Sequence, residues 1–319
     1  MNKLALRQAV RSGEWLRIPL SSPIPEELAA GSHPHRVRQW LLAAAVFPDK
    51  WVNRLFSVGG IRLEEGWLAL LAFPAFDWTG HALLEGGAAA GSGQGPEAAV
   101  LFEDDWCLVL HKPAGMAVHP SRPGHRGTRD EGAARHTLAR GESAPVRHIH
   151  RLDDDTTGPV LYAKNDLAQW RLDEAMRDKR IDRRYIALVH GVPRRPRGKI
   201  DAPIGKDRSR PGRRRVSPSG DHAVTHYETL EAYDGAALLR VRLETGRTHQ
   251  IRVHLSHLGH PLVGDALYGA PPDPRMRRQA LHGEQLSFVH PWTHEELAVR
   301  SPLPADMEEA RLRLGRRPK

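Results

Sequence analysis

The sequence predicts an α+β protein, and three features of its pattern carry that expectation. Short apolar-alternating runs of the kind that form half-buried strands recur at 99–102, 107–110, 146–152, 160–163, 183–189, 224–230 and 237–243. Segments with helical spacing are fewer and stand between them, at 37–44, 165–180 and 251–258. The third feature is a stretch rich in Gly, Ala and Ser at 81–96, a composition that packs no core and behaves as a flexible linker. The expected organisation is a small first unit at 1–80, the linker at 81–96, and a larger second unit at 97–319 that ends in a basic tail.

In the first unit, Val37, Trp40, Leu41 and Ala44 fall at i, i+3, i+4 and i+7, one face of a helix, and Val52, Leu55 and Phe56 mark a second short one. Gly59 and Gly60 turn the chain into a strand at Ile61-Arg62-Leu63, and the apolar run from Trp67 to Phe73 follows. The second unit opens with strands at 99–102 and 107–110, then Lys112-Pro113-Ala114-Gly115, where Pro and Gly form a turn. Residues 121–145 are polar and glycine-rich, a surface excursion with a short helix near 136–140.

After the paired runs at 146–163, Asn165 is a suitable N-cap for a helix whose negative end meets Arg177, Lys179 and Arg180. From Lys206 to Arg215, the six basic residues Lys206, Arg208, Arg210, Arg213, Arg214 and Arg215 accompany one acid, with Pro and Gly expected to prevent a regular element. Such a run reads as a solvated loop suited to phosphate contacts, which fix register without reading sequence. Ile251, Leu255 and Leu258 then mark a helical face with Arg252 at its edge.

Composition narrows the function classes. Lys and Arg number 47 against 38 Asp and Glu, giving a net charge of +9, and the pI near 10.0 favours a polyanionic partner. The single cysteine, Cys107, excludes an internal disulfide and any cysteine-rich metal site, and its apolar neighbours suggest a small buried hydrophobe. No segment approaches the roughly 18 continuous apolar residues of a membrane span. The first residues, Met-Asn-Lys-Leu-Ala-Leu-Arg-Gln, have no apolar signal core. A cytoplasmic monomer, with no membrane association and no obligatory protein partner, is the expectation.

The chain is organised around His148 to Asn165, where an apolar run leads into three acids, two threonines and a glycine, and a second apolar run leads out. A polar turn between half-buried strands can hold a reactive side chain at the floor of a cleft. An ordinary hairpin, with Asp154, Asp155 and Thr156 satisfying local backbone donors, is the plainer alternative. Two features favour the first reading: Arg151 and Asp153 would share one face of a continuing strand, and three successive acids repel unless cations lie near. The histidines also allow a metal hydrolase, through His148 and His150 or His254, His257 and His260 with the acids at 153–155. No His-Glu-x-x-His helix motif accompanies them, so no metal site is expected.

His150-Arg151-Leu152-Asp153, followed by Thr156-Thr157-Gly158 and Ala163-Lys164, resembles the signature of the RluA family of RNA pseudouridine synthases. The family usually carries Ser where Thr157 stands and leucines where Pro159 and Val160 stand; a strand proline suggests an edge or bulge. The resemblance extends through Glu103 to Pro120, Arg183-Arg184-Tyr185, the run Glu244 to Leu255, His260 to Gly269, and Phe288-Val289-His290-Pro291. It implies a mixed, largely antiparallel central sheet flanked by helices, with an RNA cleft between its halves. Residues 1–80 weakly resemble a degenerate S4 RNA-binding domain.

The resemblance implies that Asp153 is the catalytic aspartate, that Tyr185 stacks on the target base, and that Arg252 pairs with Asp153 and aims it through the guanidinium fork. The reaction detaches uracil from ribose, rotates it, and rejoins it through carbon 5, so no cofactor is needed. Attack on the sugar, attack on the base and a glycal route all remain open for Asp153. Arg151 is expected to fill the space left by the extruded base or to bind a flanking phosphate. Ribosomal and transfer RNA are both possible substrates, and the rival reading is a non-catalytic RNA-binding or ribosome-assembly protein on the same fold.

Overall fold

The computed structural model describes residues 4–81, 83–84 and 99–314. Most of the expected linker at 81–96, and residues 315–319 of the basic tail, lie outside them. The first unit comprises β1 (Val10–Ser12), β2 (Trp15–Pro19), α1 (Pro34–Ala44), α2 (Asp49–Ser57), β3 (Ile61–Glu64) and β4 (Trp67–Leu70). Its strands form an antiparallel sheet in the order β1-β2-β4-β3. The helices and the last two strands match the expected pattern. The hairpin β1–β2 was not anticipated, although Leu16 and Ile18 alternate inward and bury completely while Trp15 and Arg17 stay half-buried.

The second unit begins with β5 (Val100–Glu103), β6 (Cys107–Lys112), α3 (Arg129–Ala139), β7 (Arg147–His148), β8 (Gly158–Ala163) and α4 (Asp166–Arg177). It continues with β9 (Asp182–His190), β10 (Arg197–Asp201), β11 (Ile204–Lys206), β12 (Arg214–Val216), β13 (Val224–Tyr233) and β14 (Ala236–Leu243). Last come α5 (Gln250–His257), β15 (Leu281–Val289), β16 (Glu296–Arg300) and α6 (Ala305–Leu312). One sheet has the order β5-β6-β8-β7 and a larger one β10-β13-β14-β9-β15-β16, with every strand pair antiparallel.

Strand period places the cores. Along β6, Cys107 and Val109 face a core shared with α4 and with the first unit, where Trp51, Leu41 and Leu68 are buried. Leu108 and Leu110 face the opposite core, which includes Tyr185, Val241, Ile251 and Leu255. The first unit thus packs directly on the smaller sheet, and the stacked rings of Trp106 and Trp292, 4.7 Å apart, belong to that contact. On the far face of β9, Ile186 and Leu188 pack against Met307 and Ala310 of α6.

The two large sheets meet where Thr157 forms a parallel bridge with His282. Gly283 N–H donates to Thr157 O at 2.7 Å, and Gly158 is held at φ +134°. A Cβ on Gly158 would lie 2.7 Å from the backbone of Gly283, so both the dihedral and the close approach require glycine. Pro159 is tolerated because β7 pairs only with Ala163 and Tyr162, leaving that side of β8 without a β7 partner at Pro159.

Three local expectations need correction. The strand foreseen over 146–152 forms only at Arg147–His148, with one further bond from Ile149 N–H to Leu161 O, before the chain enters the acidic turn; Arg151 and Asp153 therefore do not share a strand face. The excursion at 121–145 contains an eleven-residue helix, Arg129–Ala139, with Arg129, Asp130 and Glu131 buried. Its start is signalled by Thr128, which accepts from Glu131 N–H, while Glu131 accepts from Gly127 N–H. The basic run 206–215 is the end of a hairpin, β11–β12, whose turn is made by the Pro and Gly that were expected to forbid a regular element.

Candidate active site

Asp153 opens a tight turn in which Thr156 N–H donates to its carbonyl at 2.9 Å. The next carbonyls are also fixed. Asp154 O accepts from Met116 N–H at 3.2 Å and from Lys112 Nζ at 2.6 Å, and Asp155 O accepts from Arg278 Nη1 at 2.9 Å. Lys112 is fully buried and spends its other donors on Pro113 O and Met116 O, so the Lys-Pro-x-Gly segment and the acidic turn form one unit. Burial pushes the Lys112 ammonium down to about 8, with Asp154, Asp155 and Asp153 acting against that fall. The side chains of Asp154 and Asp155 accept no backbone hydrogen bond among the described residues, unlike those of an ordinary hairpin turn.

Arg252 approaches from α5 and is 7% exposed. Its fork is not aimed at Asp153. Nε and Nη2 bind Asp265 at 2.8 and 2.9 Å, and the remaining Nη1 donates to Asp153 Oδ2 at 3.2 Å. Burial opposes the guanidinium charge, but Asp265 and Asp153 together hold it above the usual arginine range. Its face lies 5.0 Å from the Tyr268 ring centre. Asp265 is the anchoring residue that sequence reasoning passed over, although it stands in the Val263-Gly264-Asp265 part of a motif already singled out.

Asp153, Tyr185 and Arg252 line one cleft of about 980 Å³ between the halves of the second unit. Tyr185 stands on β9, paired with Val241 and Gly283, and is 5% exposed; burial raises its phenol above the ordinary value. Asp153 Oδ1 carries no hydrogen bond among the described residues. Next to it, His249 caps α5 in a left-handed conformation, φ +56°, with Nε2 4.0 Å from Asp153 Oδ2. Burial lowers the His249 imidazole, and Arg252 adds to that while Asp153 opposes it.

Cations surround the opening. Arg151 is exposed at the cleft, with Nη1 3.3 Å from His119 Nε2, and Arg177, Lys179, Arg183 and Arg247 line the same space. The sequence pattern marks none of these four as a binding residue, and it presents Arg177 and Lys179 only as helix-end charges. Among the foreseen RNA contacts, Lys206, Arg208, Arg210 and Arg215 are exposed, while Arg213 and Arg214 are partly buried. The Arg213 guanidinium stacks over Tyr268 at 5.4 Å, and Arg214 N–H donates to the Tyr268 hydroxyl.

Four of the histidines foreseen as possible ligands have other partners: His148 pairs with Asp130, His150 Nε2 accepts from Leu161 N–H, His254 bonds Thr225 and Ala202 O, and His260 bonds His190 O. Asp104, Cys107 and His290 are close enough to share an ion. Yet His290 Nδ1 accepts backbone N–H groups from Trp292 and Thr293, which puts its proton on Nε2, 2.7 Å from Asp104. That arrangement is a close His–Asp contact beside a buried thiol, with the ring nitrogen that faces Asp104 protonated, rather than a ligand set.

A family model described as RNA pseudouridylate synthase matches residues 106–257. The uncharacterized RNA pseudouridine synthase YhcT of Bacillus subtilis is 48% identical over 211 residues, 66% of this chain and 70% of that protein. This chain belongs to the RNA pseudouridine synthase family. The ribosomal large subunit pseudouridine synthase D of Nitrosomonas europaea is 43% identical over 216 residues, 65% of this chain and 62% of that protein. Among solved structures, human RNA pseudouridylate synthase domain containing 4 superposes with a TM-score of 0.57 at 27% identity, covering 68% of this chain and 93% of that one. The resemblance read from the motifs and the α+β fold it implied agree with these findings. This synthase isomerises uridine in RNA to pseudouridine, and nothing in the site favours the non-catalytic alternative. No helix among the described residues is long and apolar enough to cross a membrane.

Proposed function

We propose that Asp153 is the catalytic nucleophile, that Arg252 aims it, and that Tyr185 stacks on the extruded uracil of a uridine in large-subunit ribosomal RNA. The observation that carries this reading is the 3.2 Å pair between Asp153 and an arginine 99 residues away, made at a cleft that Tyr185 also lines. In the reaction the C1′–N1 bond breaks, the ring rotates, and C5 bonds to C1′; the C5 proton is lost and N1 gains one. No atom is imported. The chain must supply a carboxylate fixed near C1′ and C6, a flat apolar wall, and cover from water.

Extracting the base costs a few kcal/mol. Stacking on an aromatic ring returns about 1–3 kcal/mol, and phosphate contacts supply the remainder. Arg151, Arg177, Lys179, Arg183 and Arg247 serve flanking phosphates, and the exposed Lys206, Arg208, Arg210 and Arg215 extend that track along the hairpin. The ribosomal assignment is supported by relatives such as the Nitrosomonas protein, a ribosomal large subunit pseudouridine synthase. We place the enzyme in the cytoplasm as a monomer, with the first unit as an S4-like RNA-binding appendage. The test is Asp153→Asn: RNA affinity should stay within about threefold while pseudouridine formation disappears. An active Asp153→Asn enzyme would refute the assignment, and mapping pseudouridines in RNA from cells with and without the gene decides between ribosomal and transfer RNA.

A further inference from the structure

His249 is a residue that the mechanism above leaves unused. It occupies the left-handed region at φ +56°, a conformation that costs a non-glycine residue free energy and persists where surrounding contacts impose it. Two contacts do so here. Gln250 Oε1 accepts from Arg247 N–H and holds the start of α5, and His249 Nδ1 lies 2.8 Å from the Tyr268 hydroxyl, ring edge to ring face.

The direction of the Tyr268 bond can be assigned. The phenol oxygen already accepts Arg214 N–H at 3.0 Å, and burial raises the phenol, so it retains its proton and donates that proton to His249 Nδ1. The neutral imidazole, favoured because burial also lowers His249, therefore carries its hydrogen on Nε2. That nitrogen faces the cleft. It stands 4.0 Å from Asp153 Oδ2, beyond hydrogen-bond range, and no other partner takes it among the described residues. An oriented donor without an acceptor, beside the proposed nucleophile and 18% exposed, is built for a group that arrives with the substrate.

We propose that His249, locked by Tyr268 as the Nε2–H tautomer, is a second catalytic residue that donates a hydrogen bond to a carbonyl oxygen of the extruded uracil. The inference rests on the reading of Asp153 as nucleophile. When the C1′–N1 bond breaks, its electron pair passes to the uracil ring and spreads over N1 and the carbonyl oxygens. A fixed donor stabilises that charge most in the dissociated state, when it is greatest, and the pair is shared with C1′ again when C5 bonds to it. Because Tyr268 also supports Arg213 and Arg252, RNA held at the hairpin and the orientation of this donor are linked through one ring.

The experiment measures single-turnover pseudouridine formation and RNA affinity for the wild type, Asp153→Asn, His249→Ala, His249→Gln and Tyr268→Phe, using total RNA from cells lacking the gene. Losing one preorganised donor costs roughly 10²–10³ in rate. We expect that loss in His249→Ala with affinity within about threefold, and substantial recovery in His249→Gln, whose amide N–H reaches the Nε2 position. Tyr268→Phe should fall between them. His249→Ala within threefold of the wild-type rate, or a Gln variant no better than Ala, would overturn the role, as would a loss of affinity matching the loss of rate. If the Ala variant melts early, the Gln and Phe variants decide alone. An active Asp153→Asn, or an inactive wild type, would instead remove the reading beneath it.

Discussion

Asp265 never touches RNA in the proposed mechanism, yet Asp265→Asn should damage both stability and catalysis. The wild-type carboxylate is 2% exposed and accepts Nε and Nη2 of Arg252 at 2.8 and 2.9 Å. An amide offers one acceptor and sets a donor against the other guanidinium nitrogen. Each charge-assisted bond is worth about 1.5–3 kcal/mol, and breaking a buried pair from one side costs about 3–5 kcal/mol. Asp153 still gives Arg252 part of its counter-charge, so the lower end, about 3 kcal/mol, is expected. At about 2 °C or more per kcal/mol, that is a fall in Tm of about 6 °C. The comparison is Asp153→Asn, whose carboxylate is partly exposed and takes one bond at 3.2 Å; its loss should cost under about 1 kcal/mol. Thermal unfolding and single-turnover rates on the same preparations test this. Both variants should lose more than about 100-fold in rate, as expected for a misplaced catalytic group, but only Asp265→Asn should melt early. A wild-type Tm and rate in Asp265→Asn would show that something other than this fork aims Arg252.

Three further predictions follow from the fold. Gly158→Ala should abolish soluble expression or lower stability by more than about 3 kcal/mol, the scale of overpacking against backbone, because its Cβ would lie 2.7 Å from Gly283; a normal denaturation midpoint would contradict the sheet crossing described. His282, bonded to Thr157 Oγ1 and Ser301 O, has its imidazole lowered by burial to about 4, so between pH 6.5 and about 4 the unfolded chain binds the extra proton and stability falls as pH falls. His150, lowered by burial to about 3, acts in the same direction. Urea titrations should show His282→Gln losing up to about 1.4 kcal/mol per pH unit of that slope, and an unchanged slope would mean that His282 does not carry it. Arg208→Ala with Arg210→Ala should weaken RNA binding and reduce the salt slope by about 1.4–1.8, near 0.7–0.9 per lost phosphate contact, with the saturated rate unchanged; an unaltered slope would remove these residues from the RNA track.

The parts of the site that lie within one continuous motif were legible in the sequence. Asp153, Tyr185 and Arg252 were placed by matching runs of residues, and the structure brings all three to the same cleft. What escaped was everything that acts across distance with a generic side chain. Lys112 stood in a segment explained by its Pro and Gly, yet its ammonium binds a carbonyl 42 residues on. Arg278 carries no local pattern; Asp306 of α6 forks its Nε and Nη2 while Nη1 reaches Asp155 O. The first turns of helix α3 escape for a different reason: the buried Arg129, Asp130 and Glu131 give them a polar sequence, so only the part near 136–140 reads as helix, while pairs such as His148 with Asp130 make that polarity acceptable inside. The same weakness hides the hairpin at 206–215, because in sequence Pro and Gly look like breakers of an element rather than its turn.

The way the acidic turn is held explains how three consecutive aspartates can stand at the proposed catalytic position. Their repulsion is met mainly through the backbone, since Lys112 and Arg278 bind the carbonyls of Asp154 and Asp155 and leave the carboxylates in solvent or cleft. The Asp153 side chain itself is restrained by one bond, from a guanidinium whose two other contacts are locked on Asp265. Rigidity and reactivity are thus assigned to different groups. The buried pair between Arg252 and Asp265 carries the desolvation cost, and the partly exposed Asp153 keeps an oxygen free to react. A carboxylate forked directly by Arg252, as the motif alone suggested, would have surrendered that oxygen. The single bond to Asp153 is the arrangement that lets one residue be both aimed and available.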